Sequence, residues 1–558
     1  MSFDQGTGSL GSVIAVRGSR ATAVFPFGSA SNAVRSRATV GKFVGILSGA
    51  SLLVSAVTDV TLKNDGGNGV SQPSTLATLD IIGEIRNYKE PGARFVRGVG
   101  DYPAIGDSVQ LLGSEELRII FDKSNSAVIE IGRLQLDQEL KAYIDVNEML
   151  SKHFAVLGTT GVGKSSAVAL LLQKVVEARP DLHVLILDVH NEYRSCFGDR
   201  ALALSPRNMR LPFWMFNFEE LIDIFFSGRK DFVEEIDVLA DLIPIAKANY
   251  NNGPAVASRT LAVKRPDAVG PRYSVDTPVP YRIADLMALI DAQMGKLENR
   301  ALISHYKRLI ARIESVSADP RYAFIFERAN VGGDTMADRI GHMFFKSHTG
   351  VPVTIFQLAG FPSEVVDSLV SVIARLAFDL GQWSDGGKPL LLVCEEAHRY
   401  ISADRTLGFG PTRRAVSRIA KEGRKYGVFL GLVTQRPAEL DATILSQCST
   451  LFAMRMTNDR DQALLHAAVP DTAADLLSFL PSLGTGEVFA FGEGVALPTR
   501  IRLSRLAPHE LPKSEAVGGK ALDDAQGVAA IVNRWRGGRE GDRASEPAPT
   551  PGELTLAF

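Results

Sequence analysis

Gly158-Thr159-Thr160-Gly161-Val162-Gly163-Lys164-Ser165 sets the fold of this chain. Its spacing is G-x-x-x-x-G-K-[ST], in which glycines let backbone N–H groups converge on an anion and the positive end of a following helix adds to the attraction. Both flanks agree with that mechanism. Residues 153–157 (HFAVL) read as a buried strand, and residues 166–178 place Val168, Leu171, Leu172 and Val175 on one helical face before Pro180 stops it. In that setting the bland alternative, a glycine-rich turn, gives way to a phosphate loop. Lys164 is placed to reach the β- and γ-phosphates of ATP, and the Ser165 hydroxyl to ligate Mg²⁺. Gly158, Thr159, Thr160, Gly161, Val162, Gly163 and Ser166 complete the expected nucleotide-contacting set.

A hydrolytic site also needs carboxylates beside the γ-phosphate, for the metal's water shell and for the attacking water. The apolar run 390–394 (LLLVC) ends in Glu395-Glu396 and supplies them. Glu395 is read as holding the Mg²⁺ hydration shell and Glu396 as the general base that polarises the water. A solvated strand end is the competing reading of two adjacent acids. Glu, where Asp is commoner at the first position, leaves the split of roles between the two open. Residues 428–435 (VFLGLVTQ) end a further strand in Gln435, placed to sense the γ-phosphate or to orient the water; a plain polar strand end is the alternative. Between these strands, residues 413–425 carry six cations against one acid, Glu422. Such a run is usually a solvated helix face. Here Arg424, with Arg418 second, is the candidate for an arginine that reaches a neighbouring subunit's γ-phosphate. Other cations of the run are candidates for contacts to DNA phosphates.

The surrounding chain alternates apolar strands with amphipathic helices, the texture of an α/β fold with a mostly parallel sheet. Strands are expected at residues 153–157, 183–187, 353–358, 390–394, 428–433 and 451–456, a six-strand parallel core of the RecA-like P-loop NTPase type. Before it, short β-branched runs at 12–16, 21–25, 52–62, 76–85, 108–112 and 128–134, separated by glycine-rich turns, suggest a small β-barrel or sandwich. Helical periodicity at 218–248 and 283–316 marks an insertion, with a Gly/Pro/Ser-rich linker at 251–280 read as an exposed loop. Residues 486–503 read as a hairpin. The expected division is a barrel over 1–140, an ATPase core over 141–205 and 346–510, a helical insertion over 206–345, and a C-terminal helix with a disordered tail over 511–558.

Composition narrows the classes. At 558 residues more than one core is expected. With 61 Lys and Arg against 63 Asp and Glu, the net charge of -2 projects no global basic field, so any phosphate backbone must be met by a local surface. Cys196, Cys394 and Cys448 share no metal-binding or disulfide spacing. The first residues lack the pattern of a secretory signal. The longest apolar stretch, 44–57, is broken by Gly45, Ser48 and Gly49 and falls short of the roughly 18 residues a membrane helix needs. The expected location is cytoplasmic, away from the membrane.

The motifs taken together resemble the HerA family of hexameric ATPases, relatives of the FtsK translocases. The resemblance rests on GTTGVGKS, LDVHNEY (187–193), LLLVCEEAHRY (390–400), KEGRKYG (421–427) and LVTQRP (432–437), and extends to FVRGVGDYPAIGD (95–107) and YIDVNEMLSKHFAVLG (143–158). It spans about residues 10–505. Val189 and Asn191 depart from it, standing where the family often has Pro and Gly, which puts the loop's shape in question while keeping Asp188, His190 and Glu192. The resemblance implies a HAS-barrel-like N-terminal unit and a homohexameric ring with ATP sites between subunits. It further implies duplex DNA moving through the pore and an effector docked on the barrel: a NurA-like nuclease in DNA end processing, or a nuclease or sirtuin-like subunit in anti-phage defence. Two readings of function follow, a DNA translocase or helicase motor and an ATP-driven scaffold that organises an effector. A secretion or conjugation pump is the third, disfavoured for want of a membrane anchor.

Overall fold

The computed structural model describes residues 10–26, 39–63, 74–121, 127–226, 231–252, 273–297, 299–345, 349–404, 408–468, 475–513 and 532. Its N-terminal part is built from β1 (Gly11–Arg17), β2 (Arg20–Pro26), β3 (Phe43–Ser48), β4 (Ser51–Lys63), β5 (Ser74–Arg86), β6 (Arg94–Arg97) and β7 (Ser108–Leu111). All pairings are antiparallel, and six strands close a barrel in the order β1-β2-β5-β4-β3-β7 and back to β1, with β6 continuing the edge of β5 beyond the end of β2. Closure removes the open edges that a small sheet would otherwise present.

The apolar stretch 44–57 is the hairpin β3–β4. Strand alternation sends Val44, Ile46, Leu53 and Val57 into the barrel interior, while Phe43, Leu52, Val54 and Ala56 face outward and still join the main core of the molecule. This hairpin is therefore buried on both faces, which is why its sequence does not alternate.

A helix, α1 (Ser114–Phe121), leads to the second sheet. It contains β8 (Val128–Leu134), β9 (Lys141–Asp145), β10 (His153–Leu157), β11 (His183–Asp188), β12 (Ala201–Leu204), β13 (Val353–Gln357), β14 (Leu390–Cys394), β15 (Val428–Thr434), β16 (Cys448–Ala453), β17 (Glu487–Gly492) and β18 (Thr499–Leu503). The order is β12-β13-β11-β14-β15-β10-β16-β17-β18-β8-β9, parallel from β12 to β16 and antiparallel beyond. Two expectations change. The parallel part has a seventh strand, β12, whose four residues are too short and too exposed to be read from sequence. Residues 128–134, expected in the barrel, lie instead in this sheet, where Leu134 pairs with Ile501 and Gly132 with Leu503. Alternation alone does not say which sheet a strand joins.

Every residue of β10, β11, β13 and β14 is buried, as a sheet covered on both sides requires. Helix α2 (Lys164–Ala178) packs on β8 and β10. Between β12 and β13 runs the helical insertion: α3 (Phe218–Phe226), α4 (Val233–Asn252), α5 (Ile283–Met294), α6 (Arg300–Ser317) and α7 (Met336–Phe344). Most of the 251–280 linker, and the 511–558 segment apart from its first residues and residue 532, fall outside the described residues.

After β13 comes α8 (Ser363–Trp383), and after β14 comes α9 (Gly410–Glu422); the two pack together. A buried ion pair fastens the insertion to α8. Glu220, fully buried, accepts from Arg375 at 2.9 Å and from the Ser371 hydroxyl at 2.8 Å, and also closes a reciprocal cap with Asn217 at the start of α3. The Ser368 hydroxyl donates to Asp223 at 2.6 Å. The barrel is fastened through Arg97 of β6, whose guanidinium donates to the carbonyls of Gly492 (2.5 Å), the last residue of β17, and of Val495 and Ala496 (3.2 Å) in the β17–β18 loop.

Candidate nucleotide-hydrolysis site

Parallel strands deliver their C-terminal ends to one edge of the sheet, and neighbouring order decides what meets there. β10 ends at the phosphate loop, with β15 on one side and β16 on the other. The loop is held from both neighbours: Gly158 N–H donates to Thr434 O (3.3 Å), and Thr159 donates through its N–H and hydroxyl to Arg455 O (3.2 and 3.1 Å). Val162 O accepts from Gly486 N–H at 3.1 Å. Gly161 (φ 74°) and Gly163 (φ 95°) occupy left-handed conformations that a side chain would strain. Gly158 has no room for one, since a Cβ would lie 2.8 Å from that of Met454.

Lys164 opens α2 and folds back so that its ammonium donates to Thr159 O at 3.0 Å. Burial lowers its pKa, and the fields of Glu396, Glu395 and Glu192 partly restore it, which places those acids around the lysine. Ser165 lies beside the fully buried Tyr193; burial, with Glu395 and Asp188 close by, holds the tyrosine's pKa well above its usual value.

The acids come from two adjacent strands. Glu395 follows β14 and Asp188 ends β11, both are buried, and the Glu395 N–H donates to Leu187 O at 3.3 Å. The two carboxyl groups are within hydrogen-bonding reach of each other, and burial first, then the nearby charges of Asp188 and Glu192, raises Glu395 above the carboxylate range; burial also raises Asp188 from its ordinary value. Asp188 also accepts from the N–H groups of Glu192 (3.1 Å) and Tyr193 (3.0 Å), and Glu395 accepts from Val189 N–H (3.0 Å). The 188–193 loop is thus wrapped on its own carboxylate. Asn191 takes φ 56°, so an asparagine supplies the left-handed turn expected of glycine there.

Glu396 sits at φ 47° and ψ 47°, at the start of a short 3-10 turn, and its carboxylate is nearly enclosed. His190 approaches one oxygen at 3.7 Å and His398 the other at 3.3 Å. Glu396 Oε2 and Asn191 Oδ1 are buried acceptors without a hydrogen-bond partner.

The structure therefore brings together Gly158 through Ser166, Glu395 and Glu396, with Gln435 directly after Thr434 on the same edge. It does not bring Arg424 there. Arg424 is exposed just before β15, at the opposite end of that seven-residue strand and so roughly 20 Å away along it. Arg418 is spent within the fold, stacked 4.0 Å over Phe378, bonded to Gln382 at 3.2 Å and 3.8 Å from Asp379. Sequence reasoning did not assign roles to Asp188, Tyr193 or His398. The signal for the first two was the LDVHNEY stretch, and for His398 its place two residues after Glu396.

Residues 129–377 match the family described as Helicase HerA, central domain. A probable helicase of Methanocaldococcus jannaschii is 26% identical over 77% of this chain and 76% of its own length. The DNA double-strand break repair helicase HerA of Pyrococcus furiosus is 26% identical over 82% of each chain, and its counterpart from Sulfolobus acidocaldarius 27% identical over 72% of this chain and 74% of its own. With the phosphate loop, the paired acids and the preceding barrel in place, this chain is a P-loop ATPase that is similar to the HerA helicases over most of its length.

Proposed function

We propose that the chain is a DNA motor that hydrolyses Mg-ATP. The observation that carries this reading is the convergence of Lys164, Glu395 and Glu396 on one strand edge behind a loop of backbone donors. The similar helicases named for DNA double-strand break repair supply the substrate class. Mg²⁺ fits the residues present. Ser165, Glu395 and Asp188 offer only oxygen, as a hard divalent ion prefers, and burial with the nearby acids Asp188 and Glu192 opposes ionisation of Glu395 in a way a cation relieves. When bound it neutralises phosphate-oxygen charge.

Around it, the chain's own residues have distinct tasks. The loop N–H groups and Lys164 hold the phosphates, Asp188 keeps the 188–193 loop in shape, and Glu396 takes a proton from water at its carboxylate. Gln435 orients that water or senses the phosphate. Arg424, too far from its own loop, acts on the site of a neighbouring subunit, which makes the working form a ring; a hexamer with DNA in its pore suits that arrangement. The barrel is the docking site for an effector, nuclease or sirtuin-like, in end processing or anti-phage defence. Among the described residues no helix is long and apolar enough to cross a membrane.

Steady-state ATP hydrolysis with and without linear duplex DNA tests the reading, with Glu396→Gln as the zero. Strong stimulation by DNA is expected. Hydrolysis indifferent to DNA favours an ATP-driven scaffold for the effector instead.

A further inference from the structure

His398 lies on the 3-10 turn that follows Glu396, and its Nδ1 faces two oxygens at once. Thr434 Oγ1 is 3.0 Å away and Glu396 Oε2 3.3 Å. Thr434 is fully buried and ends β15; the same Oγ1 also accepts from Arg436 N–H at 3.0 Å, and its carbonyl accepts from Gly158 N–H of the phosphate loop. Burial lowers the pKa of the ring, so at neutral pH it has one N–H to give. Hydrogen-bonded to Thr434, it leaves Glu396 Oε2 buried and without a hydrogen-bond partner. A buried carboxylate oxygen in that state is costly, and the same Nδ1, 3.3 Å away, is a donor able to change it.

We infer that His398 is a positioning residue that holds the Glu396 carboxylate through Nδ1 and ties its placement to Thr434, and through Thr434 to the strand end bearing Gln435 and to Gly158. The inference rests on the reading of Glu396 as the base. It gives the β14 acid and the β15 strand end a common contact, so that a carboxylate shift at Glu396 is felt one strand away. His190, at 3.7 Å and half exposed, has no such second anchor among the described residues and is not assigned this task.

The test exploits the shape of the donor. An Asn amide nitrogen falls near the place of a His Nδ1, whereas a Gln amide falls near Nε2. His398→Ala and His398→Gln are expected to lower kcat by about tenfold or more, as removal of a supporting partner does, with KM for ATP within about twofold. His398→Asn should recover most of the loss. Thr434→Val should match His398→Ala, and the double variant should be no slower than the slower single, because both remove one linkage. Melting temperature and binding of a fluorescent ATP analogue are measured on each. Three results overturn the inference: Asn as slow as Ala in an equally stable protein, a loss confined to KM, or a double variant whose losses multiply. Glu396→Gln is run beside them. If it turns over like the parent, the base assignment itself has failed; if it is inactive while the His398 series behaves like the parent, only the role of His398 has.

Discussion

A glutamate in the left-handed region costs of order 1 kcal/mol or more, and Glu396 sits there at φ 47° with its carboxylate nearly enclosed. Glycine would relieve the backbone and remove the acid, so on the proposed reading of Glu396 as the base chemistry outweighs local preference at this residue. Adjacency of Glu395 and Glu396 was legible in the sequence, but their different surroundings were not. The left-handed turn aims one toward Asp188 and the other toward two histidines, and that depends on β14 lying between β11 and β15. Lys164 and Arg424 belong at this scale too, with opposite expected effects. Lys164→Ala should weaken ATP binding at least tenfold in a fluorescence titration, because it removes the charge that meets the β- and γ-phosphates. On the proposed ring with Arg424 acting in trans, Arg424→Ala should bind ATP like the parent yet hydrolyse it roughly a hundredfold or more slowly. Parental turnover by that variant would remove Arg424 from the mechanism.

At the scale of elements, β10 shows how one polar residue keeps strands in register. His153 is buried; its Nδ1 accepts from Leu430 N–H of β15 and its Nε2 lies 3.0 Å from Ala420 O of α9, which fixes the proton on Nε2. Burial lowers its pKa to about 4 from an ordinary 6.5. The ring is neutral in both folded and unfolded chains above pH 6.5. As pH falls from there toward 4 the unfolded chain takes the proton first, so stability is lost across that window, by about 3 kcal/mol at most. Urea unfolding at pH 7.5 and 4.5 should show a smaller drop for His153→Asn than for the parent; an equal drop would put the acid sensitivity elsewhere. The run HFAVL was readable as a strand because four apolar residues follow the histidine. β12 was not, since Ala201, Leu202 and Ala203 remain partly exposed and its pairing with β13 bridges nearly 150 residues of chain.

For the whole molecule, the succession of barrel, α/β core, insertion and hairpin could be read in order, because each has its own hydrophobic period. What could not be read is how the parts share material. The outward face of β3–β4 belongs to the same core as β8, β9 and α1, and Arg97 crosses to the β17–β18 loop. Nothing in a one-dimensional pattern distinguishes a barrel strand from a strand that the barrel's neighbour has taken.

The shared material decides where the chain can be cut. Starting the protein at residue 141 discards β8, strips β9 of its partner, and leaves the backbone of β18 open along Ile501, Arg502 and Leu503, next to the apolar surface that Ile129, Ile131 and Leu134 had covered. An unpaired edge of that kind recruits strands from other molecules. Starting at residue 127 keeps the hairpin and the edge closed. Both cuts bare the apolar face that α1 and β3–β4 had covered, but only the shorter protein also opens a sheet edge, so light scattering should find it clumping more than the longer one, a difference made by fourteen residues.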